Sequence, residues 1–244
     1  MSLLHLRDEY EERARDIMEL LTLASSLEAH TQQLEQQTYQ DEIESNTLRI
    51  NILKSSVHMM LYNQVENTAR GCIESIYDHL QDNGVNYTSL REKFQVNILH
   101  RIISDNETGK SLYQKIGSDI SKKIISASLN IRKEFNGNVC KPVLHKITQA
   151  YGINIANSPE CRNGVDLDLL KDIRNELAHG STSFSKKGQI DPLEEVKLRS
   201  ERIDLYLRLL ISSTENYITS NGYFSINEPD AGSADVFRTG PVCH

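Results

Sequence analysis

Tryptophan is absent from the 244 residues, and the two strongest chain breakers are scarce, with 12 glycines and 5 prolines. Long stretches without either breaker favour helices and argue against a many-turned β fold. Positive net charge is also lacking. The formal charge is −7, which excludes whole-surface attraction to nucleic acid and leaves room only for a local basic patch. Cysteine is sparse. Cys72, Cys140, Cys161 and Cys243 are too far apart to form a C-x-x-C knuckle or redox pair, so they read as reduced thiols of a cytoplasmic protein. No run approaches the ~18 apolar residues of a membrane span. The opening "MSLLHLRDEYEERARDIMEL" turns acidic too early for a signal peptide. With 38% hydrophobic and 25% charged residues, the composition is that of a folded globular chain.

Helical periodicity fills most of the sequence. Over 7–37, Ile17, Leu20, Leu21, Ala24 and Leu27 recur at helical spacing among acidic residues. This block is either a helix laid on the main body or a dimerising coil, and its short heptads favour the first. Residues 41–81 carry a wide apolar face (Leu48, Ile52, Leu53, Val57, Leu61, Val65, Ile73, Ile76, Leu80) suited to the centre of a bundle, and Asp82-Asn83-Gly84 stops it. A helix over 88–104 has Thr88 as its candidate N-cap. Residues 105–140 are locally basic and read as an insertion holding a short helix and a hairpin. Pro142 fits the first turn of a helix over 139–151, 157–164 is a loop, and 165–179 is a helix with Gly180 just beyond its end. "STSFSKKGQ" reads as a loop or short hairpin, and Asp191-Pro192 opens a last helix to about 220. The expected organisation is an N-terminal helix (1–40), a helical domain (41–221, with the 105–140 insertion) and a flexible tail (222–244).

The stretch that invites a chemical reading is "KDIRNELAHGSTSF", residues 171–184. Arg174 and His179 are five apart, which sets them roughly 140° apart around an ideal helix. They meet only at a frayed helix end or across a seam with a second copy. A histidine at a helix C-terminus is a reasonable proton carrier. Arginine supplies a permanent charge and a donor fork suited to phosphate, and Asn175 adds neutral donor and acceptor capacity. The bland alternative is a charged helix ending at Gly180. A second constellation, Asn63 and Glu66, shares one helix face. Glu66 either pairs with Arg70 four residues on or turns to orient Arg174 or His179. Lys122, Lys123, Lys186 and Lys187 are the candidate phosphate contacts, with the last two nearest the histidine. No phosphate loop, zinc pair or nucleophile elbow is present, so neither a cofactor nor a metal is expected.

"RNELAHG" resembles the Arg-x4–6-His signature of the HEPN superfamily, a set of all-α nucleotide-binding and ribonuclease domains. "LYNQVENTARGCIESIYD" (61–78) adds a Tyr-Asn-x-x-Glu segment similar to that of HEPN-like nucleases from bacterial defence and toxin–antitoxin systems. The resemblance spans about 45–220. It implies an all-α, HEPN-like helical bundle carrying an acidic N-terminal helix and a basic insertion. It also implies a cytoplasmic, metal-independent endoribonuclease acting as a homodimer, with Arg174 and His179 catalytic, Asn175, Glu66 and Asn63 supporting, RNA as substrate, and an antitoxin or defence protein as partner. The alternative is a non-catalytic dimeric HEPN module that binds nucleotide or RNA or serves as a scaffold. A related toxin group has a modifiable tyrosine two residues after the histidine. Ser181 stands there in this chain, so that mode of control is not implied.

Overall fold

The structure, a computed structural model, describes residues 3–35, 39–104, 108–117, 119–129, 135 and 137–225. Nine α-helices and no named strand occur among them. The two longest, α1 (Leu3–Glu35) and α2 (Gln40–Asp82), form an antiparallel hairpin. α1 buries Leu6, Tyr10, Ile17, Leu21, Ala24, Thr31 and Leu34, a stripe at intervals of three, four and seven residues. That stripe packs on α2 and on the last helix, so the acidic helix lies on its own body, and Asp8, Glu11, Glu12 and Glu19 stay exposed.

α2 is the axle of the fold. At 43 residues it is about 65 Å long. Its middle buries Val57, Leu61, Tyr62, Val65, Ala69 and Cys72 against several neighbours at once. It ends where Asp82-Asn83-Gly84 was expected to end it. Gly84 takes φ 59°, its amide bonds the Gln81 carbonyl at 3.0 Å and the Val85 amide bonds that of Leu80 at 2.9 Å. A left-handed residue that lets two amides fold back on the last carbonyls is the glycine-dependent helix stop.

The next helix corrects the sequence reading. α3 is Glu92–Ser104, and Thr88 lies in a preceding 3-10 turn, Tyr87–Ser89, instead of capping it. The backbone there is held by residues far along the chain. Leu90 forms an antiparallel bridge with Phe224, Arg91 N–H bonds the Tyr223 carbonyl at 2.9 Å, and Ser225 N–H bonds that of Ser89 at 3.1 Å. The start of the expected tail is thus packed structure, with Tyr223 only 2% exposed. Residues 226–244 lie outside the described residues.

The basic insertion contributes two short helices, α4 (Gly109–Ile116) and α5 (Ile120–Ala127), and no hairpin among its described residues. α6 (Lys141–Tyr151) carries Pro142 in its first turn as expected. Residues Pro159–Gly164 wind as a 3-10 turn. α7 (Asp166–Ala178), α8 (Phe184–Gly188) and α9 (Leu193–Thr219) complete the chain. α8 replaces the expected loop or hairpin, and the Ser183 hydroxyl starts it by accepting from the Lys186 amide at 3.3 Å. Among the described residues no helix is long and apolar enough to cross a membrane.

Where α8 turns into α9, charged groups are buried against α2. Arg199, 3% exposed, donates to Asp191 at 2.7 Å and to His58 Nε2 at 2.8 Å. Lys54 donates to the Asp191 carbonyl at 2.9 Å. Burial, reinforced by the Arg199 charge, pushes the His58 imidazole down to about 4. The folded state therefore keeps His58 neutral while the unfolded chain takes up a proton below ~6.5. Stability is complete above that pH and falls as pH drops from ~6.5 to ~4, by on the order of 3 kcal/mol. Thermal melts at successive pH values should show this slope, and His58→Gln, which keeps an acceptor for Arg199, should flatten it.

Candidate functional site

α7 begins with Asp166 and Asp168 in its first turn, where carboxylates favour the helix dipole, and buries Leu167, Leu170, Ile173 and Leu177. It ends on the glycine expected to end it. Gly180 has φ 71°, its amide bonds the Leu177 carbonyl at 3.2 Å, and the Ser181 amide bonds that of Glu176 at 3.0 Å. His179 is the C-cap residue and is exposed. The cap thus holds the histidine backbone in a defined turn while the ring faces solvent.

Arg174 points the other way, towards α2. Its Nη2 donates to the Tyr62 hydroxyl at 2.6 Å, and its guanidinium carbon lies 4.2 Å from the centre of the Tyr62 ring. No hydrogen bond joins Arg174 to His179 among the described residues. Tyr62 is 2% exposed, and its hydroxyl is fully used. It donates to the Gly137 carbonyl at 2.7 Å and accepts from the Val139 amide at 2.9 Å as well as from Arg174. Burial raises the phenol's pKa, and the Val139 amide and Arg174 oppose that rise. Tyr62 is therefore a neutral hydrogen-bonding hub beneath the arginine. The arginine's Nε is buried without a partner.

The other candidates divide. Asn175 reaches Asn138 Oδ1 at 3.4 Å, and its own Oδ1 is buried without a partner, so it lines the same corner as Arg174. Glu66 sits one turn along α2 from Tyr62 and gives its carboxylate to Arg70, the intrahelical alternative. Asn63 is exposed and carries no bond to α7 among the described residues. Lys187 is tied to Glu176 at 2.7 Å and pins α8 to the last turns of α7, whereas Lys186 is exposed nearby. Lys123 is exposed on α5, and Lys122 lies on that helix with its side chain outside the described residues. α5 packs at the far end of α2, where Ser126 meets Gln81 and Ser128 meets Tyr77. Tyr77 lies roughly 22 Å along the helix from Tyr62. Lys123 therefore does not line the Arg174 corner, and Lys186 does lie on its side of the molecule.

In the sequence, Asn63 and Glu66 take candidate roles and Tyr62 beside them takes none. The signal for Tyr62 was present. It shares a face with Val65 and Ala69 on a helix with a wide apolar face, and a buried phenol needs a hydrogen-bond partner. Asn138 and Gly137 gave no such signal.

The family model described as HEPN_MAE_28990-like HEPN matches residues 3–223, and the chain belongs to that family. The chain has no significant match to a curated protein or to a solved structure. Family membership supports a nuclease or other RNA-related role.

Proposed function

We propose that the protein is a metal-independent HEPN endoribonuclease that works as a homodimer in defence against phage or as a growth-arresting toxin. The observation that carries this reading is the division of labour on α7. Arg174 is held inward on Tyr62, and His179 is held outward at a capped helix end. Cleaving RNA at a phosphodiester requires removal of the ribose 2′-OH proton, neutralisation of charge on the pentavalent phosphorus, and protonation of the departing 5′-oxygen. His179 takes the 2′-OH proton as O2′ attacks phosphorus. Arg174 binds the non-bridging oxygens, and His179 of the second subunit protonates O5′ as the P–O5′ bond breaks. The products are a 2′,3′-cyclic phosphate and a 5′-OH. Asn175 helps to place the phosphate, and Lys186 contacts the RNA backbone.

Two features support the dimer. One chain supplies a single histidine on α7, and the reaction uses two proton carriers. The His179 end of α7 is also flanked by exposed apolar side chains, Leu48 and Ile52 on α2 and Phe184 and Ile190 around α8. Ser55 bonds the Phe184 carbonyl at 2.7 Å, which seats the start of α8 on α2. An antitoxin or defence protein would cover this same end of the molecule.

Purified protein incubated with mixed RNA in EDTA should cleave it, and Arg174→Ala should lower the rate by about 10³-fold. Equal cleavage by wild type and variant would overturn the reading. RNA binding with no cleavage by either would leave a non-catalytic RNA-binding module.

A further inference from the structure

The hydroxyl of Tyr62 is the meeting point of three elements. It lies on α2, receives Arg174 of α7 at 2.6 Å, donates to the carbonyl of Gly137 at 2.7 Å and accepts from the amide of Val139 at 2.9 Å. The last two belong to the segment that leads out of the basic insertion into α6. We propose that Tyr62 is a positioning residue that fixes the Arg174 guanidinium for the scissile phosphate, an inference that rests on the ribonuclease reading above.

The geometry gives the reason. An arginine at this depth has several rotamers and would lose much entropy if a substrate had to order it. Here the ring supports the guanidinium from below at 4.2 Å, and the hydroxyl takes one Nη2 donor. The hydroxyl cannot swing away, because two backbone groups hold it from the far side. One end of the donor fork is thereby committed, while Nε is buried without a partner. Gly137 permits the approach. It takes φ 65°, a left-handed conformation that favours glycine. Asn175 is tied to the same segment through Asn138, so both polar residues of α7 are registered by one stretch of backbone. Tyr62 touches neither substrate nor proton carrier in this scheme. It acts only through Arg174.

The test compares Tyr62→Phe, which keeps the ring and removes the hydroxyl, with Tyr77→Phe, which removes another buried phenol of α2 that bonds Ser128 and Tyr151. With an RNA oligonucleotide as substrate, Tyr62→Phe should lower kcat by about 10²-fold with KM changed by less than about twofold. Tyr77→Phe should leave kcat within about twofold. Nitrogen NMR of the arginine side chains supplies a readout independent of catalysis. The two Nη groups of Arg174 should give separate signals in wild type and a single averaged one in Tyr62→Phe. Unchanged kcat in Tyr62→Phe, an equal loss in Tyr77→Phe, or loss of kcat with Arg174 signals still separate would each overturn the proposal. If wild type cleaves no RNA, the ribonuclease reading fails, and the NMR comparison alone decides whether Tyr62 fixes the arginine.

Discussion

Replacing His179 by alanine is expected to slow RNA cleavage by about 10³-fold, the usual worth of a positioned proton carrier, and to leave thermal unfolding within about 1 °C of wild type. The stability half of this expectation follows from exposure. His179 is the exposed C-cap of α7, and the bonds that end the helix are backbone bonds from Gly180 and Ser181, which alanine at 179 retains. An exposed substitution that keeps the backbone bonds of its cap changes stability by less than about 0.5 kcal/mol. The activity half follows from the absence of a substitute on the same turn, since Ala178, Gly180 and Ser181 surround it and none titrates near neutral pH. A bell-shaped pH–rate profile should accompany wild-type activity, as two histidines acting as base and acid require. The matched measurement is the initial cleavage rate of both proteins beside their melting curves. A variant that melts early and cleaves slowly would point to folding instead of chemistry.

The largest effect on stability is expected at Gly188, where alanine should cost about 3 kcal/mol and lower the melting temperature by roughly 10 °C. Gly188 is buried in α8. A Cβ at this position would run into the backbone carbonyl of Asn51 on α2. Backbone of the fold's longest helix cannot rotate aside as a side chain can, so α8 itself would have to lift. That movement would strain the Ser55 bond to the Phe184 carbonyl and the Lys187–Glu176 pair, which hold α8 to α2 and α7. Gly109→Ala gives the contrast. Nothing lies within 4 Å of a Cβ there, and the change should be neutral or stabilise by about 0.5 kcal/mol. Chemical denaturation of the two variants beside wild type measures both.

Much of this architecture could be read locally. α2 announces itself by an apolar face without breakers and by the Asp82-Asn83-Gly84 stop, because a helix and its left-handed cap are decided within a few residues. Gly180 and Pro142 were legible for the same reason. The start of α3 was not, because Leu90 and Arg91 are claimed by Phe224 and Tyr223, and no local pattern reports so distant a partner. α8 was missed although Ser183 is a good N-cap type. A helix of one turn has too few residues to show a period, and its packing depends on a glycine meeting another helix.

The candidate site was half legible. Arg174 and His179 stood out by residue type and spacing, and their offset keeps them off a common helix face. Tyr62 could be quoted but not assigned, since its role depends on where the backbone of 137–139 crosses α2. Lys122 and Lys123 looked like site residues because charge is visible in sequence and position is not. The packing of α5 at the other end of α2 separates Lys123 from Arg174.

The central claim concerns bond chemistry, and the ends of the RNA fragments record it. Mass spectrometry of a defined oligonucleotide cleaved by the wild-type protein in EDTA is expected to show 2′,3′-cyclic phosphate and 5′-OH termini, both absent with His179→Ala. Fragments ending in 3′-OH and 5′-phosphate, formed only when divalent metal is restored, would contradict the account.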